Sequence, residues 1–188
     1  MEVGKIHVKI CGLPPGLLMN RLDPEDLRQS GPSTRTQYNP KDEAKKAAYV
    51  TTVDGKEQLY IPSRWIYSNI IKASKSYHPK GRRMSLSSLL AGTIRIEPEE
   101  ILLGHCNYEI DERPVTIGYA KVLAWRPKIK EWEATFDIIY LKKHVTSEVA
   151  RVLQEILEDG GIRFGIGDFR PEHKGPFGTF TVEQFEIE

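Results

Sequence analysis

The residues with the clearest chemical potential are basic ones, and they lie in one segment that has no acidic side chain. Between Glu57 and Glu97 the 188-residue chain contains no Asp or Glu but seven Lys or Arg residues. The rest of the chain has more acidic than basic residues, so the net charge of +1 conceals a segregation of charge. A local basic surface can bind phosphate groups by releasing counterions, although a solvated helix face followed by a loop would have the same composition. The seven residues are Arg64, Lys72, Lys75, Lys80, Arg82, Arg83 and Arg95.

Within this segment, Lys72 and Lys75 are three residues apart after an apolar helical stripe, so both can point to one side of a helix. The sequence Lys80-Gly81-Arg82-Arg83 continues the positive charge into a loop, where arginine can hold phosphate with two hydrogen bonds. Tyr77 and the neighbouring His78 are able to stack on a base, and packing at the helix end is an equally good interpretation.

A second candidate segment is the glycine-rich run at residues 161–178. It follows a predicted helix and precedes a predicted strand, and it lacks Gly-Lys-Ser/Thr, so it is neither a dinucleotide fingerprint nor a P-loop. Such a loop can present backbone N–H groups together with Arg170 and Lys174 to an anion, and Phe177 could stack on a base. A tight irregular connection that needs positive φ angles is the alternative interpretation.

Metal and disulfide chemistry find no support in the sequence. The two cysteines, Cys11 and Cys106, have no ligand spacing around them, and the histidines lie apart from one another. We therefore predict no metal and no cofactor. Apolar runs are too short to cross a bilayer and the N-terminus is charged, which predicts a soluble, cytoplasmic, single-domain protein spanning residues 1–188 with no membrane partner.

The elements that must position these residues follow from periodicity. Alternating apolar residues predict main strands at 3–11, 114–125, 132–141 and 179–187, the middle two forming a hairpin. Amphipathic helices are predicted at 62–76 and 146–159, the second ending at Gly160-Gly161. This order is an α+β fold with a ferredoxin-like (RRM-like) βαββαβ core, both helices on one face of the sheet, and large insertions at 13–61 and 77–113.

Smaller elements fall inside the insertions. We predict a helix at 40–48 that begins at Asn39-Pro40, a hairpin turning at Asp54-Gly55, a helix at 86–91, and strands at 93–96 and 101–103. Residues 13–39 are predicted to form a long loop.

The strand at 132–141 also predicts which face of the sheet is available. Trp132, Phe136 and Tyr140 share one face with apolar neighbours and are predicted to be buried, whereas Glu133 and Asp137 take the other face. An acidic open face would repel phosphate. A bound strand should therefore run along the insertions rather than on a platform of aromatic residues.

The chain resembles the RAMP superfamily of CRISPR-associated proteins, especially the backbone subunits that polymerise along guide RNA. The resemblance depends on the predicted architecture, on the glycine-rich loop at 161–178, and on Leu59-Tyr60-Ile61-Pro62-Ser63-Arg64, which opens a basic helix. A diverged, viral relative that binds single strands outside CRISPR is equally compatible. The resemblance implies a repeating subunit that self-associates along a strand.

We therefore expect sequence-independent binding of single-stranded RNA or DNA, through Arg64, Lys72, Lys75, Tyr77, Lys80, Arg82, Arg83, Arg170, Lys174 and Phe177. One alternative is a metal-independent endoribonuclease like some relatives in the same superfamily, in which His78 beside Lys80 and Arg82 would act as acid or base. Asp23 and Asp26 are the acidic loop candidates for cleavage, and nothing distinguishes them. A viral structural or assembly protein is the third possibility. We predict that the protein is not an enzyme.

Overall fold

The computed structural model describes residues 2–21, 39–79, 83–117 and 119–188, and it is a mixed α and β structure with antiparallel sheets. The strands in these ranges are β1 Val3–Gly12, β2 Leu17–Leu18, β3 Val50–Val53, β4 Lys56–Pro62, β5 Ile94–Glu97, β6 Glu100–Leu102, β7 Glu109–Ile117, β8 Ala120–Ile129, β9 Glu133–Leu141 and β10 Phe180–Ile187. The helices are α1 Pro40–Ala47, α2 Ser63–Ala73, α3 Leu86–Ala91 and α4 Ser147–Arg163, with 3₁₀ turns at Ser74–Ser76 and Pro171–His173.

The main sheet has the strand order β10-β1-β9-β5, and every neighbouring pair is antiparallel. Its covered face carries the alternating apolar residues of the two central strands, with Val8 opposite Phe136 and Ile6 opposite Ile138. Because side chains alternate along a strand, the intervening residues lie on the open face. Trp132, Phe136 and Tyr140 are all buried, at most 5% exposed, which confirms that prediction.

Helices α2 and α4 pack against each other over the covered face, as predicted. The contact is close because Gly160 has no side chain: a Cβ there would lie 2.1 Å from Asn69 Oδ1. Gly161 is equally restricted, since a Cβ would lie 2.4 Å from the carbonyl oxygen of Phe180. The prediction that these glycines end the helix is wrong, because α4 continues to Arg163 and uses both for close packing.

The predicted second strand of the main sheet is also wrong. Residues 114–125 do not pair with β9, because the chain reverses after Ile117 and β7 and β8 form a hairpin that belongs to a separate sheet, β2-β8-β7. The short strand β5 pairs with β9 instead, with Ile96 opposite Ile138. The segment 77–113, predicted as an insertion, therefore contains a strand of the main sheet.

The local signals elsewhere predict the structure well. Asp54 and Gly55 turn the β3–β4 hairpin with φ angles of 50° and 75°, and β6 adds a third strand to that sheet. Asn39 accepts a hydrogen bond from the backbone N–H of Lys41 and so caps α1, and Pro40 is the first helical residue. Most of the predicted loop at 13–39 lies outside the described residues.

Candidate nucleic-acid interface

A basic face runs along α2 because the helix is amphipathic. Ile66, Ile70 and Ala73 are fully buried against the sheet, so residues on the opposite side of the helix face solvent. Arg64 and Lys72 lie on that outer side at a spacing of two helical turns, with Ser68 between them. The structure thus brings two of the predicted residues onto one surface.

The basic face continues past the end of α2. Lys75 lies in the 3₁₀ turn Ser74–Ser76 and is exposed, and no ion pair or hydrogen bond involves it among the residues that the structure describes. Arg64 is also exposed, and within the described ranges its guanidinium donates one hydrogen bond, to the hydroxyl of Tyr49 at 3.3 Å. Both cations are therefore available to an anion in solution.

The glycine-rich segment packs beside this basic face and forms a cleft of about 160 Å³ with it. The side of α2 contributes Trp65, Ser68, Asn69 and Lys72. The other wall consists of residues 165–167 with Arg170 and Glu172. The predicted pairing of α2 with the loop near Arg170 is thus present in the structure.

One carboxylate inside the cleft joins its two cations. Glu172 Oε2 accepts a hydrogen bond from Lys72 Nζ at 2.7 Å, from Arg170 Nη2 at 2.7 Å and from Arg170 Nε at 3.1 Å. Burial alone would raise the pKa of Glu172, but the hydrogen bonds from Lys72 and Arg170 outweigh it and lower the pKa below its ordinary value. Lys72 and Arg170 are therefore not free cations, a feature that the sequence did not reveal.

Asn69 fixes the glycine-rich segment to the helices. Its side-chain amide donates to the carbonyl oxygens of Gly160 and Gly165, at 2.8 and 2.9 Å, and the residue is only 2% exposed. Asn69 lies within the predicted helix at 62–76, and no role was predicted for it. The signal was a lone polar residue at a buried helical position, which must find hydrogen-bond partners.

An ion pair between a buried arginine and a half-buried aspartate holds the far side of the segment. Arg126 of β8, which is 7% exposed, pairs with Asp168, whose backbone N–H also donates to the carbonyl of Leu18. Arg126 was predicted to lie in a hairpin turn, and it is instead a strand residue pointing to the segment. Gly178 packs against Ile166 within the same segment. Its φ angle is 72°, and a Cβ there would lie 1.7 Å from the carbonyl oxygen of Ile166.

Two aromatic residues of the predicted site are not open to a base. Phe177 is 2% exposed and lies beneath Arg113, whose guanidinium carbon is 4.9 Å from the ring centre, so the prediction that it stacks on a base is wrong. Tyr77 packs against the core and its hydroxyl donates to the carbonyl of Glu155 at 3.2 Å. Burial raises the pKa of Tyr77. Its packing interpretation is the one that the structure favours.

An aromatic residue that the sequence did not indicate lies nearer to the cations. Trp65 is half-buried at the cleft wall, and its ring stands edge-on to Tyr49 at 5.1 Å. The signal was weak, because an aromatic residue in an apolar helical stripe is ordinarily a core residue.

The remaining predicted residues are dispersed. Lys80 and Arg82 lie outside the described residues. Arg83 is exposed before α3, and Lys174 is exposed in a left-handed conformation after the 3₁₀ turn Pro171–His173. Arg95, the seventh cation of the acid-free segment, lies on the open face of the main sheet and pairs with Glu97 at 2.8 Å, away from the α2 surface.

The open face of the main sheet carries basic side chains that the prediction of an acidic surface did not include. Strand β1 contributes three of them, and each is paired with an acidic residue of a neighbouring strand or of the C-terminus. The pairs are Lys5 with Asp137, Lys9 with Glu133 and Glu183, and His7 with Asp137 and Glu188. These pairs set three basic groups against four carboxylates, so they leave an acidic excess, which disfavours phosphate binding.

One group of potential metal ligands lies at the edge of this face. Atoms of Cys11, Glu133 and Glu183 lie within 4.8 Å of one another. The ammonium of Lys9 is 3.0 Å from Glu133 and 2.8 Å from Glu183, so it already forms an ion pair with each carboxylate. The group is better explained as part of the ion-pair network than as a metal site.

No protein-family model matches the chain, and no curated protein matches it significantly. None of the helices in the described ranges is both long and apolar enough to cross a membrane.

Proposed function

We propose that this protein binds single-stranded nucleic acid without sequence preference, along the outer face of α2 and the adjoining glycine-rich segment. The observation that carries the proposal is the pair of exposed cations, Arg64 and Lys75, on a surface whose other cations line a cleft beside them. Phosphate contacts through Arg and Lys supply affinity without reading the base sequence.

The fold supports the same proposal. The strand order β10-β1-β9-β5, with α2 crossing from β1 to β5 and α4 from β9 to β10, has the connectivity of a ferredoxin-like (RRM-like) core. In that assignment β5 is the second strand of the core, and the β7–β8 hairpin lies in an insertion. We propose that the chain is a diverged relative of the RAMP superfamily that self-associates along the strand, acts in the cytoplasm and is not an enzyme.

The direct test measures the binding of labelled oligo(dT) and oligo(rU) by fluorescence anisotropy over a series of salt concentrations. Each oligonucleotide is tested as a single strand and as a duplex with its complementary strand. Changing Arg64 and Lys75 together to Gln should lower the affinity on the order of tenfold at about 0.1 M salt. The salt slope should fall by about 1.4, since each lost contact to a single strand removes about 0.7. Both oligonucleotides should be affected equally.

The matched control changes Lys56 and Lys143 to Gln, because both are exposed and lie at the β3–β4 turn and before α4, away from the cleft. It removes the same two charges and should leave the affinity unchanged. Equal losses in both variants would mean that only net charge matters, and the proposed path would be wrong.

The endoribonuclease alternative is tested in the same mixtures. His78 is exposed, and no hydrogen bond or ion pair involves it within the ranges that the structure describes. Cleavage of oligo(rU) without metal that disappears in His78→Ala would overturn the non-enzymatic proposal.

A further inference from the structure

The ion pairs of Glu172 have an unusual geometry, because all three donors converge on one carboxylate oxygen. Lys72 Nζ and two nitrogens of Arg170 reach Oε2 at 2.7 to 3.1 Å. A single anionic oxygen that accepts a bidentate guanidinium and an ammonium is also the environment of a non-bridging phosphate oxygen. The carboxylate thus occupies a position that is chemically suited to phosphate.

Arg170, one of the two cations around that oxygen, is held in place independently of Glu172. Its Nη1 donates to the carbonyl of Gly167 at 2.7 Å, which orients the guanidinium so that its Nε and Nη2 edge faces the cleft. Gly167 is buried, with a φ angle of 76°. Asn69 of α2 in turn donates to the carbonyl of the neighbouring Gly165 and holds the segment against that helix. The guanidinium should therefore keep its orientation when the carboxylate leaves.

Glu172 itself is free to leave. It lies in the short 3₁₀ turn Pro171–His173, and its side chain is 27% exposed, so rotation of the side chain can carry the carboxylate into water. Ion pairs between partly exposed groups contribute little stability, so an incoming dianion or phosphodiester can compete with this one. The cleft of about 160 Å³ also has the Ser68 hydroxyl on its wall as a further donor.

We propose that this cleft is a phosphate-binding subsite and that Glu172 is an internal competitor, which a phosphate group of the bound strand displaces from Lys72 and Arg170. The inference rests on the proposed function for the source of the phosphate. It assigns Lys72 and Arg170 to one phosphate contact, which Glu172 occupies in the free protein. Arg64 and Lys75 are accessible to phosphate without any displacement.

The test compares Glu172→Gln with Glu148→Gln, which removes the same charge from an exposed position in the first turn of α4. Glu172→Gln should bind oligo(dT) and oligo(rU) about two- to fivefold more tightly at low salt, with a steeper salt slope. Glu148→Gln should bind as the parent does. Unchanged or weaker binding by a folded Glu172→Gln protein would overturn the proposal.

Two further measurements keep the outcomes distinct. If Glu172→Gln does not fold, Glu172→Asp keeps the charge but shortens the side chain, and it should show a smaller gain in the same direction; no gain would overturn the proposal. Lys72→Gln combined with Glu172→Gln should lose the gain in affinity. If it keeps the gain, Glu172 acts through net charge alone and the subsite is wrong.

Inorganic phosphate and a mononucleotide separate this inference from the proposed function. If no oligonucleotide binds the parent, the proposed function fails. The subsite then still predicts a larger effect of phosphate on the variant. Relative to chloride at equal ionic strength, phosphate should raise the Tm of Glu172→Gln by more than it raises the Tm of the parent. A mononucleotide with a larger effect than phosphate would identify a free nucleotide as the ligand. No difference in Tm would overturn the subsite as well.

Discussion

The two faces of the molecule carry similar residues and differ in how these are paired. On the open face of the main sheet, Lys5, His7 and Lys9 lie one strand away from the carboxylates that neutralise them. On the α2 face, Arg64 and Lys75 have no acidic partner among the described residues. The number of cations on a surface therefore does not indicate an anion site, whereas the number that remain uncompensated does.

The reason for the difference is local geometry. In an antiparallel sheet, side chains on adjacent strands are held about 5 Å apart, so a basic strand between acidic strands is paired automatically. Along a helix surface, only residues three or four positions apart meet, and the acid-free segment offers no carboxylate at those positions. Among the residues that the structure describes, the α2 face is compensated by Glu172, which is 100 residues from Lys72 in the sequence.

The largest effect is expected where the glycine-rich segment is attached. Asp168→Asn should lower the free energy of unfolding by about 3 kcal/mol, because it leaves the buried Arg126 guanidinium without its carboxylate. Urea unfolding measures the change. Asp159→Asn is the matched control, since it breaks a pair with the half-exposed Arg163 and should lower stability by less than about 0.5 kcal/mol. Equal losses would show that Asp168 has no special structural role.

The comparison between the two faces is tested directly by removing charges from the open one. Changing Lys5 and Lys9 to Gln should alter affinity for oligo(dT) by less than about twofold, because both cations are already paired. The same double change at Arg64 and Lys75 should weaken binding as described above. A comparable loss from the open face would contradict the proposed path.

The smallest effect is a pH dependence of stability from His7. Hydrogen bonds with Glu188 and Asp137 raise the pKa of His7 above the ordinary value of 6.5, so its protonated form is favoured in the folded state. The resulting stabilisation is fully present below about pH 6.5 and is lost as the pH rises through the raised pKa. The Tm values of the parent and of His7→Gln, measured across this pH range, should therefore converge at high pH. If the difference in Tm between the two proteins did not change with pH, the ion pairs of His7 would contribute nothing to stability.

The parts of the fold that the sequence predicted are those with local signals. The alternation of β9, the Asp54-Gly55 turn and the Asn39 cap each depend on neighbouring residues and were predicted correctly. Residues 114–125 were predicted as one strand of the main sheet, because their pattern shows neither the reversal after Ile117 nor which sheet receives the hairpin. The glycines at 160 and 161 were mistaken for a helix end, because a glycine required for close packing has the same appearance in a sequence.

The candidate site was less predictable for a related reason. Charge segregation located the basic face, and two of its cations are exposed as expected. The pairing of Glu172 with Lys72 and that of Arg126 with Asp168 join residues that are distant in the sequence, so no periodicity reveals them. The ring of Phe177 likewise lies beneath Arg113 of β7, which is distant from it in the sequence.

Asn69 makes the glycine-rich segment observable by nuclear magnetic resonance. Its side-chain nitrogen donates to the carbonyl oxygens of both Gly160 and Gly165, in a buried position. The two amide protons should therefore exchange slowly with solvent, unlike those of an exposed asparagine side chain such as that of Asn39. Displacement of the segment from α2 breaks the bond between Asn69 and Gly165, so the exchange rate of this single group reports how often the cleft opens.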